Sequence, residues 1–172
     1  MKIESTAFTP TDVQGFMDEF LDRERELLAG RLEKASSRLA ALGPRITAGH
    51  GDGEWSGHEI LAHIAVLSKF YGVLVHKISS GQMTELNLLE NVNVRDVAGE
   101  QMAKVEPAEL MRMAQADHRR SIDTLRAVEP RALRRAVRLE DGTTMTAEEI
   151  ARLPLVAHLE LHIEQLERSL GS

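Results

Sequence analysis

The sequence contains no cysteine. This absence excludes a disulfide scaffold, a thiolate zinc site, an iron–sulfur cluster and a cysteine nucleophile. Aromatic residues are also scarce, with one Trp, one Tyr and four Phe, so the core must be built from aliphatic side chains and methionine. No stretch approaches about 18 consecutive apolar residues, which argues against a transmembrane helix. The first ten residues lack the apolar run of a secretory signal, so we expect a cytoplasmic protein.

Basic residues are outnumbered, with 21 Lys and Arg against 27 Asp and Glu, giving a net charge of −6. This balance argues against nucleic-acid binding, which requires a concentrated basic face. The length of 172 residues predicts a single domain over residues 1–172. The count that stands out is seven histidines, because histidine and carboxylate are the good metal ligands that remain without cysteine.

Helical periodicity covers most of the chain and predicts an all-α fold. We expect a four-helix bundle with a long irregular crossover between helices 2 and 3. The first helix should bury an apolar stripe that includes Phe16, Phe20 and Leu27. The pattern leaves open a short helix at residues 86–94, and either a helical turn or a short strand at residues 131–140. The four predicted helices are Pro10–Leu42, a helix capped by Ser56 that ends at Ser79, Pro107–Val128, and Leu155–Leu170, the last introduced or kinked by Pro154.

Two histidines in the last predicted helix could bind one metal ion. His158 and His162 are four residues apart, so their imidazoles lie on the same helical face. The spacing alone is not diagnostic, because seven histidines produce such pairs by chance. The pair lies at the edge of the buried stripe of this helix, however, and buried imidazoles need polar partners or a metal.

The second predicted helix offers a third ligand. His63 falls inside the stripe formed by Ile60, Ile64 and Leu67, so its side chain should point into the bundle. A hydrogen-bonded core histidine and a metal ligand are both compatible with this position. The inward-facing pair His158 and His162 on the last helix favours the ligand. Glu59 completes a capping box with Ser56, and a further role in binding or orienting a ligand stays open.

The remaining histidines are less suited to be metal ligands. His50 lies in a glycine-rich loop that leads to Trp55 and could reach over the end of the bundle. We expect His58 at the surface or in the helix cap. His76 lies more than three turns from His63, too far to share its ion. We expect His118 at the surface beside two arginines.

The charged residues near these histidines do not complete a known motif. Leu159 follows His158, so the general base of the metalloprotease HExxH motif is missing, and Glu160 should be solvated. Arg119 or Arg120 could bind an anionic substrate or could simply be solvated. The arginines between residues 131 and 138 should bind acidic neighbours or solvent.

Two segments together resemble a known family. The segment Trp55–Ile64, WSGHEILAHI, is similar to the W-S-x-x-E-x-x-x-H motif of the DinB-like superfamily of helical proteins, which are regarded as metalloenzymes. His158 and His162 match the H-x-x-x-H pair that the family carries on its final helix.

The resemblance implies a four-helix bundle with one divalent metal bound by His63, His158 and His162 at one end. The family includes transferases that use mycothiol, bacillithiol or glutathione, together with a maleylpyruvate isomerase, and homodimers are common in it. Three imidazoles suit zinc, nickel, iron or copper.

Both arguments lead to the hypothesis of a metal-dependent transferase that uses a small-molecule thiol, or of a hydrolase. Three neutral imidazoles leave coordination positions open, and a metal there lowers the pKa of a bound thiol or water. Since the chain has no cysteine, the thiol must come from a cosubstrate. No residue can be assigned as the general base. The alternatives are a non-catalytic metal- or ligand-binding stress-related protein and a helical dimerisation module without metal.

Overall fold

The computed structural model of the chain describes residues 9–52, 54–87, 90 and 100–171. It confirms the helical class and the bundle. The α-helices whose bounds fall within the described residues are α1 (Pro10–Leu42), α2 (Gly57–Ser79), α3 (Pro107–Ala127), α4 (Ala147–Ile150) and α5 (His158–Gly171). Most of the crossover between α2 and α3, including most of the expected short helix at residues 86–94, lies outside the described residues.

Local capping signals explain where the helices begin. Three of them start with a capping box, in which a Ser or Thr side chain and an acidic side chain three residues later satisfy each other's backbone N–H groups. The pairs are Thr9 with Asp12, Ser56 with Glu59, and Thr146 with Glu149. The predicted bounds of α1 and α2 agree with the structure to within one residue, because these signals are local. The bounds of α3 agree equally well; it has no capping box and begins with Pro107.

The core is aliphatic, as expected, and α2 runs through it. By length and apolarity α2 could span a membrane, but 61% of its most apolar stretch is buried inside the protein. That burial is typical of the central helix of a folded bundle. The fully buried side chains include Leu28, Leu32, Leu39, Ile60, Ile64, Leu110, Leu125, Ile163 and Leu166.

The beginning of α1 is more exposed than predicted. Phe16, Phe20 and Leu27 were expected in the core, but they are 67%, 44% and 51% exposed. The first buried side chain of α1 is Leu21, so the helix starts more than two turns before it meets its neighbours.

A small three-stranded sheet accompanies the helices. Its strands are β1 (Glu85–Leu86), β2 (Ala136–Leu139) and β3 (Thr144–Thr146), in the order β1-β2-β3. β1 is parallel to β2, and β2 is antiparallel to β3. The uncertain segment 131–140 thus forms both predicted alternatives: a 3-10 turn at Pro130–Arg134, followed by β2.

The last helix continues through Pro154 instead of starting after it. Proline has no N–H group, and its ring clashes with the preceding turn of an α-helix. Here Ala151–Ala157 is π-helical and joins α4 to α5. The wider π turn accommodates the proline, and such turns are frequent at functional sites.

Candidate metal centre

The three predicted histidines come together between α2 and α5. His63 extends from α2, and His158 and His162 extend from the first turns of α5. One ring nitrogen from each histidine lies within 4.8 Å of the other two, which makes this the one three-residue group with metal-ligand spacing among the described residues. All three side chains are half-buried. The site therefore has access both to the interior of the bundle and to solvent.

The distances in the cluster are close to those that one ion requires. The Nε2 atoms of His158 and His162 are 2.9 Å apart. The ring centroid of His63 lies 4.6 Å from that of His162 and 6.0 Å from that of His158. Two nitrogen ligands of a tetrahedral zinc ion are roughly 3.3 Å apart, given metal–nitrogen distances of about 2.0–2.1 Å. Small side-chain movements would thus suffice for the three imidazoles to share one ion.

A neighbouring amide orients His162. Its Nδ1–H donates to Oε1 of Gln165, at 3.0 Å, which leaves the Nε2 lone pair facing the cluster. Burial lowers the pKa of His162, an effect that the Gln165 contact partly offsets. Burial favours the neutral form of the imidazole, and the Gln165 bond selects the tautomer of that form whose Nε2 can bind a metal. Metal-bound histidines commonly have such a second hydrogen bond.

Trp55 covers one side of the cluster. Its ring meets His63 edge-on at a centroid distance of 4.8 Å and stacks on His162 at 6.5 Å. Trp55 is 49% exposed, so it also contacts solvent. The sequence placed Trp55 in the loop beside the site, and the structure adds its contacts with two of the three imidazoles.

Glu59 anchors the loop that carries Trp55. Its carboxylate accepts hydrogen bonds from the N–H groups of Ser56, at 2.8 Å, and Gly51, at 3.1 Å, and His50 lies 3.2 Å from its other oxygen. These bonds, above all that from Ser56, lower the pKa of Glu59 to about 2. Glu59 is not in the three-histidine group. It caps α2 and positions the loop, while exposed His50 contacts Glu59.

Glycine is required at one position of this loop. A Cβ atom on Gly51 would lie 1.7 Å from the carbonyl oxygen of Glu54. The backbone therefore approaches itself too closely for any side chain, and this close approach leads directly into Trp55.

Two histidines expected at the surface are buried. His58 is 5% exposed; its Nε2 lies 2.7 Å from the carbonyl oxygen of Val105, and its Nδ1 accepts from the N–H of Gly49. His118 is 0% exposed, between Ser68 and Ser36. A surface position was therefore wrong for both, although His58 does lie in the first turn of α2, the other position expected for it. For His118, the buried series Leu110, Ala114, Ser121 and Leu125 has helical spacing and would have shown that this position faces inward.

The remaining candidate residues do not join the cluster. His76 lies towards the far end of α2, away from the cluster as predicted, and it is exposed. Arg119 is exposed on α3. Arg120 pairs with Asp117. Glu160 is not simply solvated, because it binds Arg31 of α1 with an Nε–Oε1 distance of 3.1 Å.

Two clefts open on opposite sides of the cluster along the groove between α2 and α5. The polar cleft, of about 750 Å³, lies towards the start of α2 and is lined by Glu54, Trp55, Ile60, His162, Gln165, Arg168 and Ser169. The apolar cleft, of about 450 Å³, lies towards the end of α2 and is lined by Tyr71, Leu74, Leu86, Met145, Ile150, Leu153, Pro154, Ala157, His158 and Leu161. Each cleft therefore has one imidazole of the cluster in its wall.

Comparison with known proteins gives a family match and similar solved structures. Residues 13–166 match the model of the DinB superfamily. No curated protein matches the chain.

Two solved structures share the fold. A mycothiol-dependent maleylpyruvate isomerase is 18% identical with a TM-score of 0.63; the match covers 88% of this chain and only 61% of the isomerase. YfiT from Bacillus subtilis, described as "a probable metal-dependent hydrolase with an unusual four-helix bundle topology", is 15% identical with a TM-score of 0.57, covering 99% of this chain and 94% of YfiT. At these identities, the similarity shows the fold alone.

Proposed function

The chain belongs to the DinB superfamily, and on that premise we propose that it is an enzyme that binds one divalent transition metal through His63, His158 and His162. The observation that carries the proposal is the convergence of these three side chains from two helices, within 4.8 Å. The description of YfiT as metal-dependent agrees with it.

The donor set suits a catalytic ion better than a structural one. Structural zinc sites have four protein ligands, whereas three histidines leave a position for a substrate. Zinc, nickel and iron are all compatible with imidazole ligands. A bound metal would supply Lewis acidity. It would lower the pKa of a bound thiol or water molecule enough to give a nucleophile at neutral pH. Within the chain, Gln165 keeps the His162 Nε2 unprotonated, and Trp55 shields the cluster on one side.

We favour a transferase that uses a small-molecule thiol over a hydrolase. The two clefts provide separate space for two organic molecules on either side of the histidines, whereas hydrolysis requires space for one organic molecule and a water. The chain has no cysteine, so a thiol nucleophile must be a cosubstrate. One structural neighbour is named as mycothiol-dependent, which agrees with this preference.

Metal analysis of protein purified without a histidine tag tests the site. We expect about one equivalent of metal in the wild type and none in His158→Ala. His76→Ala is the matched control, since it removes an exposed histidine from α2 outside the cluster and should retain the metal. Absence of metal in the wild type after incubation with zinc, nickel or ferrous iron would contradict the proposal.

Activity assays then separate the two reaction classes. The metal-loaded protein is incubated with an electrophile and, in turn, with mycothiol, bacillithiol and glutathione, and separately with ester substrates. Thiol-dependent conjugation that is lost in His158→Ala and kept in His76→Ala would identify a transferase. Ester cleavage without any thiol would identify a hydrolase. The absence of both activities would favour a non-catalytic binding protein.

A further inference from the structure

The apolar cleft beside His158 differs in chemistry from its polar counterpart. Among the described residues that line it there is no Asp, Glu, Lys or Arg. Aliphatic side chains from α2, β1, the π-helical segment and α5 form most of its wall, and Met145 from β3 completes it. The polar groups of the wall are the imidazole of His158 and the hydroxyl of Tyr71.

The rim of this cleft explains two otherwise unexplained exposed leucines. Leu153 and Leu161 are 58% and 61% exposed although they lie on a helix whose other large apolar side chains are mostly buried. Both line the mouth of the cleft. Exposed large apolar groups at a concave site mark it as a place where an apolar ligand binds.

Size and chemistry together limit the occupant. A volume of about 450 Å³ is within the range of small-molecule sites, and too small for a folded domain or a helix. Away from the His158 end, where the metal would bind, a charged group placed in the cleft would lose hydration without gaining a charged partner among the described lining residues, which is costly. An alkyl or aryl group has no such cost and gains from leaving water.

We propose that this cleft binds the uncharged apolar part of the organic substrate and holds it against His158. The inference rests on the proposed function, since it assigns a substrate class to the same site. The polar cleft on the His162 side would then bind the second reactant, the hydrophilic thiol cosubstrate. The protein would thus select acceptors that carry an alkyl or aryl group.

Binding of 2-naphthol, which is uncharged at pH 7, tests the cleft without an activity assay. The protein is labelled with 13C at the methionine methyl groups, and Met145 is assigned with the variant Met145→Leu. We expect a saturable shift of the Met145 methyl signal. Met111, which lies on α3 next to Gly43, should not move and serves as an internal control.

Two matched substitutions locate the binding. Leu161→Glu places a charge at the rim of the cleft and should weaken 2-naphthol binding at least tenfold. Val73→Glu introduces the same charge at an exposed apolar residue of α2 that does not line the cleft, and it should leave the affinity unchanged. Both positions are exposed, so both variants should fold.

The metal content of the same samples separates this inference from the proposed function. If metal binds while Met145 does not shift, or while Leu161→Glu binds 2-naphthol as tightly as the wild type, the assignment of the cleft is wrong and the metal site stands. If 2-naphthol binds as expected but no metal does, the metal site is wrong instead. A change of molecular mass in Leu161→Glu, with no ligand-induced shift in the wild type, would show that a second copy of the chain covers the cleft and would overturn the inference.

Discussion

At the scale of single residues, the state of the cluster depends on side chains that would not themselves bind the metal. Gln165 lies one turn after His162 and accepts its Nδ1–H. This bond selects the tautomer in which Nε2 can bind a metal, and it also limits rotation of the ring. Loss of a hydrogen bond of this kind typically lowers metal affinity or activity about 10- to 100-fold.

Gln165→Ala should weaken metal binding while leaving the fold intact. Because the Nδ1–H of His162 loses its acceptor, we expect the affinity for zinc to fall about 10- to 100-fold. Competition with a chromophoric chelator measures this change. Gln14→Ala removes an exposed amide that binds Asp18 on α1, and it should have no effect. Equal zinc affinity in Gln165→Ala and the wild type would show that another contact orients His162.

His118 illustrates a different use of a histidine, as a neutral link between three helices. Ser68 donates to the carbonyl oxygen of Ile64, so it accepts from the Nε2–H of His118 at 2.7 Å. The Nδ1 atom then accepts from Ser36 of α1 at 3.0 Å. Since the ring is fully buried, loss of hydration lowers the pKa of His118 to about 4.

This pKa predicts how His118 affects stability as pH changes. Between the unfolded pKa of about 6.5 and the folded pKa of about 4, the unfolded chain binds more protons at this residue. The contribution of neutral, buried His118 to the free energy of unfolding is therefore fully present above pH 6.5. It is lost progressively as the pH drops towards 4, and no further loss arises from this residue below pH 4. The total loss should be about 3 kcal/mol.

Urea denaturation between pH 7 and pH 4 measures this dependence. In His118→Gln we expect a shallower loss of unfolding free energy over that interval than in the wild type. His76→Gln replaces an exposed histidine and should follow the wild-type profile. Identical slopes for His118→Gln and the wild type would contradict the lowered pKa.

At the scale of secondary-structure elements, local signals explain what the sequence could predict. Helix starts follow from capping boxes, and the inward positions of His63, His158 and His162 follow from helical periodicity. The sheet could not be predicted in the same way, because its strands have two to four residues each and β1 pairs with a strand some fifty residues later.

Two further features depend on information that periodicity does not contain. Periodicity identifies the apolar face of α1, but it does not indicate where the neighbouring helices end, so Phe16, Phe20 and Leu27 were wrongly placed in the core. Proline at residue 154 indicates an interrupted helix. Whether the chain kinks, restarts or widens into a π turn depends on packing at both ends.

The capping box of α2 connects helix stability with the loop beside the histidines. Ser56 accepts the N–H of Glu59 at 3.2 Å and also donates to the carbonyl oxygen of Gly49 in the loop. We expect Ser56→Ala to lower the free energy of unfolding by about 1 kcal/mol, in the usual range for loss of a helix cap. Urea denaturation measures the loss.

Ser56→Thr is the matched control, because it keeps the hydroxyl and should cost only a few tenths of a kcal/mol. If Ser56→Thr were as unstable as Ser56→Ala, the loss would come from the fit of the side chain and not from the cap.

At the scale of the whole molecule, ion pairs connect α1 with the last helix. Arg38 binds Glu167 at 2.8 Å, Arg31 binds Glu160, and Arg152 binds Glu24. These pairs are partly exposed, so each contributes little to stability. They are spaced along α1, α5 and the π-helical segment before α5, so together they favour one placement of α5, with two of the clustered histidines, against α1.

The exposed face of α1 is where we expect a second copy of the chain to bind. Val13, Phe16, Phe20 and Leu27 lie within about 60° of one another around the helix axis, and each is at least 44% exposed. An apolar stripe of this length on the surface of a monomer is typical of an interaction site.

A homodimer, a cytoplasmic location and the lack of nucleic-acid partners stay predictions, as does a single domain over residues 1–172.

Phe20→Asp should convert a dimer into a monomer. A charge in the middle of the stripe would lose its hydration if the face were covered, so association should weaken by at least tenfold. Sedimentation equilibrium measures the mass as a function of concentration. Val73→Asp alters a single exposed apolar residue on α2 and should leave the mass unchanged. A wild-type protein that is monomeric at high concentration would show the prediction to be wrong.

The position of Trp55 gives the protein a built-in optical reporter. It is the one tryptophan of the chain, and its indole lies within contact distance of the His63 ring. Indole emission is quenched efficiently by nearby copper or nickel ions with partly filled d shells, whereas zinc, with a filled shell, leaves it largely intact. Ultraviolet emission of the unlabelled protein should therefore distinguish these ions as they bind, and the same signal should follow their exchange in real time.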